Sequence, residues 1–148
     1  MIVRSAIDED VADIVAMGRA FYDSTHYAAF SPYCQGSARA LINVMRDGVL
    51  LVAQENGELL GMVGLIVAPF PFNAAMKSAH EIMWWVHPGA QRSGVGRALL
   101  EAVEPACREA GASMIQMTHL ANSPPQAGAL YERMGFTLCE SSYSKILD

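Results

Sequence analysis

The sequence predicts a mixed α/β fold: a central, mostly antiparallel sheet of about seven strands with helices on both faces. Three observations carry this. Apolar runs and amphipathic stretches follow one another in the order β-α-α-β-β-β-α-β-α-β-β. The pair Asn56-Gly57 joins two apolar runs and is a hairpin signal, because both central positions of a type I′ turn need φ > 0. A single strand–helix–strand crossover follows the hairpins, so the sheet is not a doubly wound parallel one.

Each element has its own signal. IVRSAI (2–7) alternates weakly and reads as a strand. Asp8 then stands as an N-cap, with Glu9 and Asp10 in the first turn of a helix running to about Ala20. FYDSTHYAAFSPYCQG (21–36) has aromatics without a period and reads as an irregular lid, and SARALINVMRD (37–47) returns to helical spacing. GVLLVAQ and ELLGMVGLIVA are the hairpin strands, PFPFNAAMKS (69–78) a loop, and HEIMWWVHP (80–88) a strand stopped by proline. GVGRALLEAVEPACREAG (94–111) is a helix closed by Gly111 and expected to kink at Pro105. ASMIQMTHL is a strand, PPQAGALYERM a helix, and FTLCE with SYSKIL a final pair of strands.

Bulk properties narrow the function. A chain of 148 residues, 52% hydrophobic and 17% charged, is expected to be one globular domain, 1–148. Net charge is −5 and the ten Lys+Arg form no run, which speaks against nucleic acid and weakly for cationic small molecules. No apolar run reaches the roughly 18 residues of a membrane span. The N-terminal MIVRSAIDED lacks the segments of a secretory signal. Cys34, Cys107 and Cys139 are widely spaced and include no CxxC, so neither a disulfide framework nor zinc is expected. The expected setting is the reducing cytoplasm, with no metal and no membrane partner.

The most informative stretch is QRSGVGRA (91–98), where a strand end gives way to a helix through two glycines flanked by two arginines. A helix N-terminus leaves backbone N–H groups unpaired and carries about half a positive charge. Glycine lets an anion approach those amides without a Cβ in the way. Taken alone, the string fits an ordinary strand-to-helix turn equally well. There is no GxxxxGK[ST] and no GxGxxG, so neither a P-loop nor a dinucleotide fingerprint is present.

QRSGVG after the strand end VHP fits the pattern Q/R-x-x-G-x-G/A, and EIMWWVHPGAQRSGVGRALLEAV resembles the central segment of the GNAT superfamily of acetyl-CoA-dependent N-acetyltransferases. ALYERMGF resembles a second signature of that superfamily, and the order of elements agrees across nearly the whole chain. The resemblance implies that the amides around Gly94, Val95, Gly96, Arg97 and Ala98 hold the pyrophosphate of acetyl-CoA, with Gln91, Arg92 and Ser93 in the same cofactor-binding turn. It implies that the 80–87 and 113–120 strands splay apart, with the backbone of Trp84 and Val86 contacting the pantetheine arm. Arg92 departs from the family pattern, which commonly has glycine there, and either grips phosphate or only tightens the turn; Asn122 sits out of register with the family's loop asparagine. Dimers are common in the superfamily, so a homodimer is an expectation by analogy.

Acetyl transfer to an amine needs a base, because an alkyl ammonium of pKa near 10.4 is only about one part in two thousand neutral at pH 7. It also needs donors for the developing oxyanion and a proton for the leaving thiolate. Tyr131 matches the tyrosine that serves as general acid in many superfamily members. Counting in twos from Val86 puts His80 on the Trp84 face and Glu81 opposite, whereas a bulge would exchange them. Glu81 is the preferred base and His80 the alternative, and either can equally be a solvated strand-end residue. The acceptor mouth is expected between 21–36 and 69–78, whose Phe21, Tyr22, Tyr27, Phe30, Tyr33, Phe70 and Phe72 form either an apolar pocket or cation–π cradle for an amine, or else core packing or a dimer contact. The expected activity is therefore N-acetylation of a small-molecule or peptide amine by direct attack in a ternary complex. The alternatives are a non-catalytic acyl-CoA-binding or sensing module and a nucleotide-binding protein.

Overall fold

The computed structural model describes residues 1–148. Five strands form one sheet in chain order: β1 (Ile2–Ser5), β2 (Val49–Glu55), β3 (Glu58–Phe70), β4 (Asn73–Val86) and β5 (Met114–Gln116). The first four pair antiparallel and β5 joins β4 in parallel. Four helices cover it: α1 (Val11–Ser24), α2 (Gln35–Asp47), α3 (Val95–Glu109) and α4 (Gln126–Arg133).

The central strands are buried on both faces, which is why they read as continuous apolar runs. In β2, Leu50 and Val52 face α1 and α2 beside Ile14, Ile42, Met45 and Met62. Val49, Leu51 and Ala53 face α3 beside Val63, Leu65, Leu99, Leu100 and Val103. The α3 side chains at 95, 99, 100, 103 and 107 are all fully buried, at the spacing of a single helical stripe. Each large aliphatic side chain in these layers contributes about 1.5–3 kcal/mol by leaving water. Asn56 and Gly57, at φ 52° and 88°, make the expected hairpin turn.

Several expectations are corrected. The sheet has five strands, not about seven, because FTLCE and SYSKIL form none. Their alternation mimics strands, but neither stretch pairs with an edge of the sheet. Leu138, Tyr143 and Leu147 stand exposed. The stretch 69–78 is a hairpin, since β3 and β4 continue as a two-stranded ribbon with Pro69 beside a register shift. Asp8 does not cap α1; its carboxylate lies 2.6 Å from Arg46 on α2. Asp10 stands at the N-cap position, but its carboxylate binds no α1 amide; it accepts the Ile7 N–H at 2.8 Å and a forked pair from Arg4 at 2.6 and 2.9 Å. As expected, one helix, α3, runs through Pro105, which lies on its exposed face. Cys107 is buried while Cys34 and Cys139 are exposed, and all three are free thiols. No helix is long and apolar enough to cross a membrane.

Candidate active site

The site arises where the sheet opens. β5 pairs with β4 only from Ser78 to His80, opposite Met114 to Gln116. Beyond that ladder the β4 edge from Glu81 to Val86 has no strand beside it. The His87 N–H donates to the Leu60 carbonyl across the β3 pairing at 2.8 Å. Trp84 and Val86, out of phase with His87, therefore direct their backbone polar groups away from β3 and into the opening. The Val86 carbonyl is reached there by the Gln91 side chain at a long 3.4 Å.

A bulge sets which side chains share that opening. Met83 pairs with Gly64 and Glu81 with the next residue, Leu65, so Ile82 is the extra residue. Glu81 thus falls on the Trp84 face, toward α3 and α4. His80 pairs with Ile66 on the α1–α2 face, where its Nε2 lies 3.0 Å from the Ser78 hydroxyl, and it does not line the cleft.

The opening is a cleft of about 810 Å³. One end is the turn before α3. Gly94 occupies the N-cap position at φ 91°, a conformation that favours glycine, and no side chain caps the helix. The Ala98 N–H is committed to the Gly94 carbonyl at 2.9 Å, whereas the amides of Val95, Gly96 and Arg97 have no partner in the protein. Val95 is buried and anchors the turn to the core. The Ser93 hydroxyl donates to the Ala90 carbonyl at 2.6 Å, and Arg97 pairs with Glu101 at 2.7 Å. Arg92, exposed and at φ 67°, lines the cleft without a partner. The indole of Trp84 lies under the turn, and its buried Nε1 has no hydrogen-bond partner.

The deep wall holds the ionisable pair. Glu81 accepts the Thr118 N–H at 2.9 Å, and the Tyr131 hydroxyl donates to the Thr118 carbonyl at 3.1 Å. Burial raises the Glu81 carboxyl to about 7, partly offset by the Thr118 hydrogen bond. Burial, and secondarily the charge of Glu81, push the Tyr131 phenol far above the ordinary tyrosine value. The Tyr131 ring is 5.6 Å from that of Trp84 and 5.8 Å from that of Phe136. One group can take up a proton near neutrality and its neighbour stays protonated throughout.

Sequence reasoning missed Thr118, since its contribution is made by backbone atoms and leaves no side-chain signal. It placed the mouth only in part. Phe21 and Tyr27 line the cleft, with Ala20 and Ser24. Phe70 and Phe72 lie 5.7 Å apart on the distant hairpin tip. The Tyr22 hydroxyl is held by the Tyr27 and Ser31 carbonyls, and Tyr33 donates to the Val15 carbonyl. No group of three or more His, Cys, Asp or Glu side chains is placed to hold a metal ion.

A sheet split beside an uncapped helix N-terminus defines a class of fold, and the family match agrees with it. The model of the acetyltransferase (GNAT) family matches residues 15–136, and the chain belongs to that family. Solved structures share the fold. A ribosomal-protein-alanine N-acetyltransferase from Brucella melitensis biovar Abortus 2308 is 18% identical, with 98% of this chain and 99% of that one covered at a TM-score of 0.75. A transcriptional regulator from Bacillus halodurans C-125 is 23% identical over 97% of both chains, again at 0.75. An aminoglycoside acetyltransferase from an uncultured soil metagenomic sample is 20% identical over 99% and 98%, at 0.73. No curated protein sequence matches significantly.

Proposed function

We propose that residues 1–148 act as one N-acetyltransferase domain that moves an acetyl group from acetyl-CoA to a primary amine within a ternary complex. The observation that carries this reading is the convergence of Glu81 and Tyr131 on Thr118, beside the free edge of β4.

The residues suit the carrier on three counts. The free amides of Val95, Gly96 and Arg97, with Arg92, match a diphosphate. The outward backbone groups of Trp84 and Val86 suit an extended amide-bearing arm. The orphaned Trp84 Nε1 offers a buried donor. When bound, acetyl-CoA supplies the activated acyl group. Glu81, near pKa 7, takes the proton from the incoming ammonium, freeing the nitrogen lone pair. Thr118 fixes the carboxylate's orientation. Tyr131, protonated at any working pH, supplies the hydrogen bond and proton for the departing thiolate as the carbon–sulfur bond breaks, and the second proton shed by the acylated nitrogen restores the phenol. No cysteine lines the cleft, which supports direct attack over a covalent acyl-enzyme.

The test is thiol release from acetyl-CoA across a panel of amines, with acetylated product identified by mass, comparing wild type and Tyr131→Phe. Turnover that collapses in the variant is expected. Tight acetyl-CoA binding with no turnover of any amine would establish a sensing module instead.

A further inference from the structure

Resting on the N-acetyltransferase reading, we infer that the acceptor is a small monoamine with an aromatic or aliphatic body, and not a polyamine or aminoglycoside. The charge and shape of the cleft's second end carry this. That end is built by Ala20, Phe21, Ser24 and Tyr27 from the α1 side, facing Ile82 and Trp85 of β4. Bulged Ile82 and Trp85 turn to the α1 face, where Phe21 packs against the same layer.

Among the residues lining the cleft, Glu81 is the only carboxylate. A reacting ammonium uses it. A second or third ammonium finds no counter-charge: Asp23, the acid nearest in sequence to that wall, is outside the lining and lies 3.7 Å from Arg19. Drawing an unpaired ammonium out of water is costly, and the aromatic faces reward an apolar body instead. The weak preference for cationic small molecules expected from the overall charge is thus narrowed to a single ammonium, since the other acidic residues lie outside the cleft.

A long peptide is disfavoured by the same wall. The Tyr22 hydroxyl ties the chain across this wall, through the Tyr27 carbonyl at 2.9 Å and the Ser31 carbonyl at 2.6 Å. That holds Tyr27 in one position in the wall of the cleft, which suits a compact ligand.

The experiment compares 2-phenylethylamine, spermidine, kanamycin and an alanyl peptide as acceptors. It reads thiol release, and separately reads amine binding to the acetyl-CoA complex by calorimetry. The expected result is a kcat/KM for 2-phenylethylamine about ten-fold or more above the others. Tyr27→Asp, and independently Phe21→Asp, should narrow or invert the ratio of 2-phenylethylamine to spermidine; the exposed position of Tyr27 makes its variant the safer one for folding. Preference for spermidine, kanamycin or the peptide overturns the acceptor class while leaving the transferase reading intact. Binding of 2-phenylethylamine without turnover keeps the acceptor class and overturns the transferase reading. Absence of both overturns both.

Discussion

Glu81 and Tyr131 are tied to the same residue from its two sides: the carboxylate accepts the Thr118 N–H at 2.9 Å, and the phenol donates to the Thr118 carbonyl at 3.1 Å. The splayed end of the sheet makes this possible, because Thr118 is past the last β4–β5 pair and its backbone groups are free to bind side chains. The pair separates a proton acceptor from a proton donor without a third titrating group between them.

The first consequence is a pH profile. Glu81 must be ionised to act as base, and its carboxyl is raised to about 7 by burial. The rate should therefore climb with pH up to about 7 and then level. In Glu81→Gln the rate should fall about 10²-fold or more at pH 7.5, and the sloping limb should vanish. Steady-state rates from pH 5.5 to 9 check this. An unchanged limb in the variant would move the titration to another group.

The same shift has a stability consequence. The folded pKa of about 7 is above the ordinary 4.5, so folding favours the protonated form. That contribution is complete below pH 4.5 and is lost as pH rises through 7. Glu81→Gln is neutral at every pH. It should match wild type at pH 4.5 and be more stable at pH 8, by up to about 3 kcal/mol with solvent in the cleft reducing the gain. Thermal melts at the two pH values provide the measurement.

Tyr131→Phe removes one hydroxyl and keeps the ring packed between Trp84 and Phe136. Loss of the single bond to Thr118 costs about 1 kcal/mol of stability. The kcat should fall about 10²-fold or more while acetyl-CoA affinity holds. A variant with unchanged kcat would leave the phenol a purely packing role.

How much of this was legible in the sequence differs from element to element. The α3 turn and its helix could be read because glycine, the strand-ending proline and the Val95–Leu99–Val103 stripe are local signals. Tyr131 was found through its motif. The face of Glu81 was not decidable by counting in twos, since one bulged residue, Ile82, reverses every position before it in β4. FTLCE (136–140) and SYSKIL (142–147) read as strands, but an apolar–polar pattern does not say whether a partner edge is available. Thr118 had no side-chain signature to find.

The two glycines of the α3 turn should respond differently to alanine. Gly94 has open space where a Cβ would go, but its φ of 91° strains any L-residue, so Gly94→Ala should cost about 1 kcal/mol or more in stability. Gly96 lies inside the helix, where a Cβ would meet Trp84 Cζ2 at 3.4 Å and Val86 Cγ2 at 3.5 Å, ordinary contact distances. Alanine also has the better helix propensity, so Gly96→Ala should melt no lower than wild type. Its methyl group stands beside the unpaired amides and the indole that the carrier is proposed to approach. Acetyl-CoA binding should weaken several-fold while stability is unchanged or improved. Calorimetric titration beside a thermal melt separates the two effects; a variant that binds acetyl-CoA as tightly as wild type would place the carrier away from this turn.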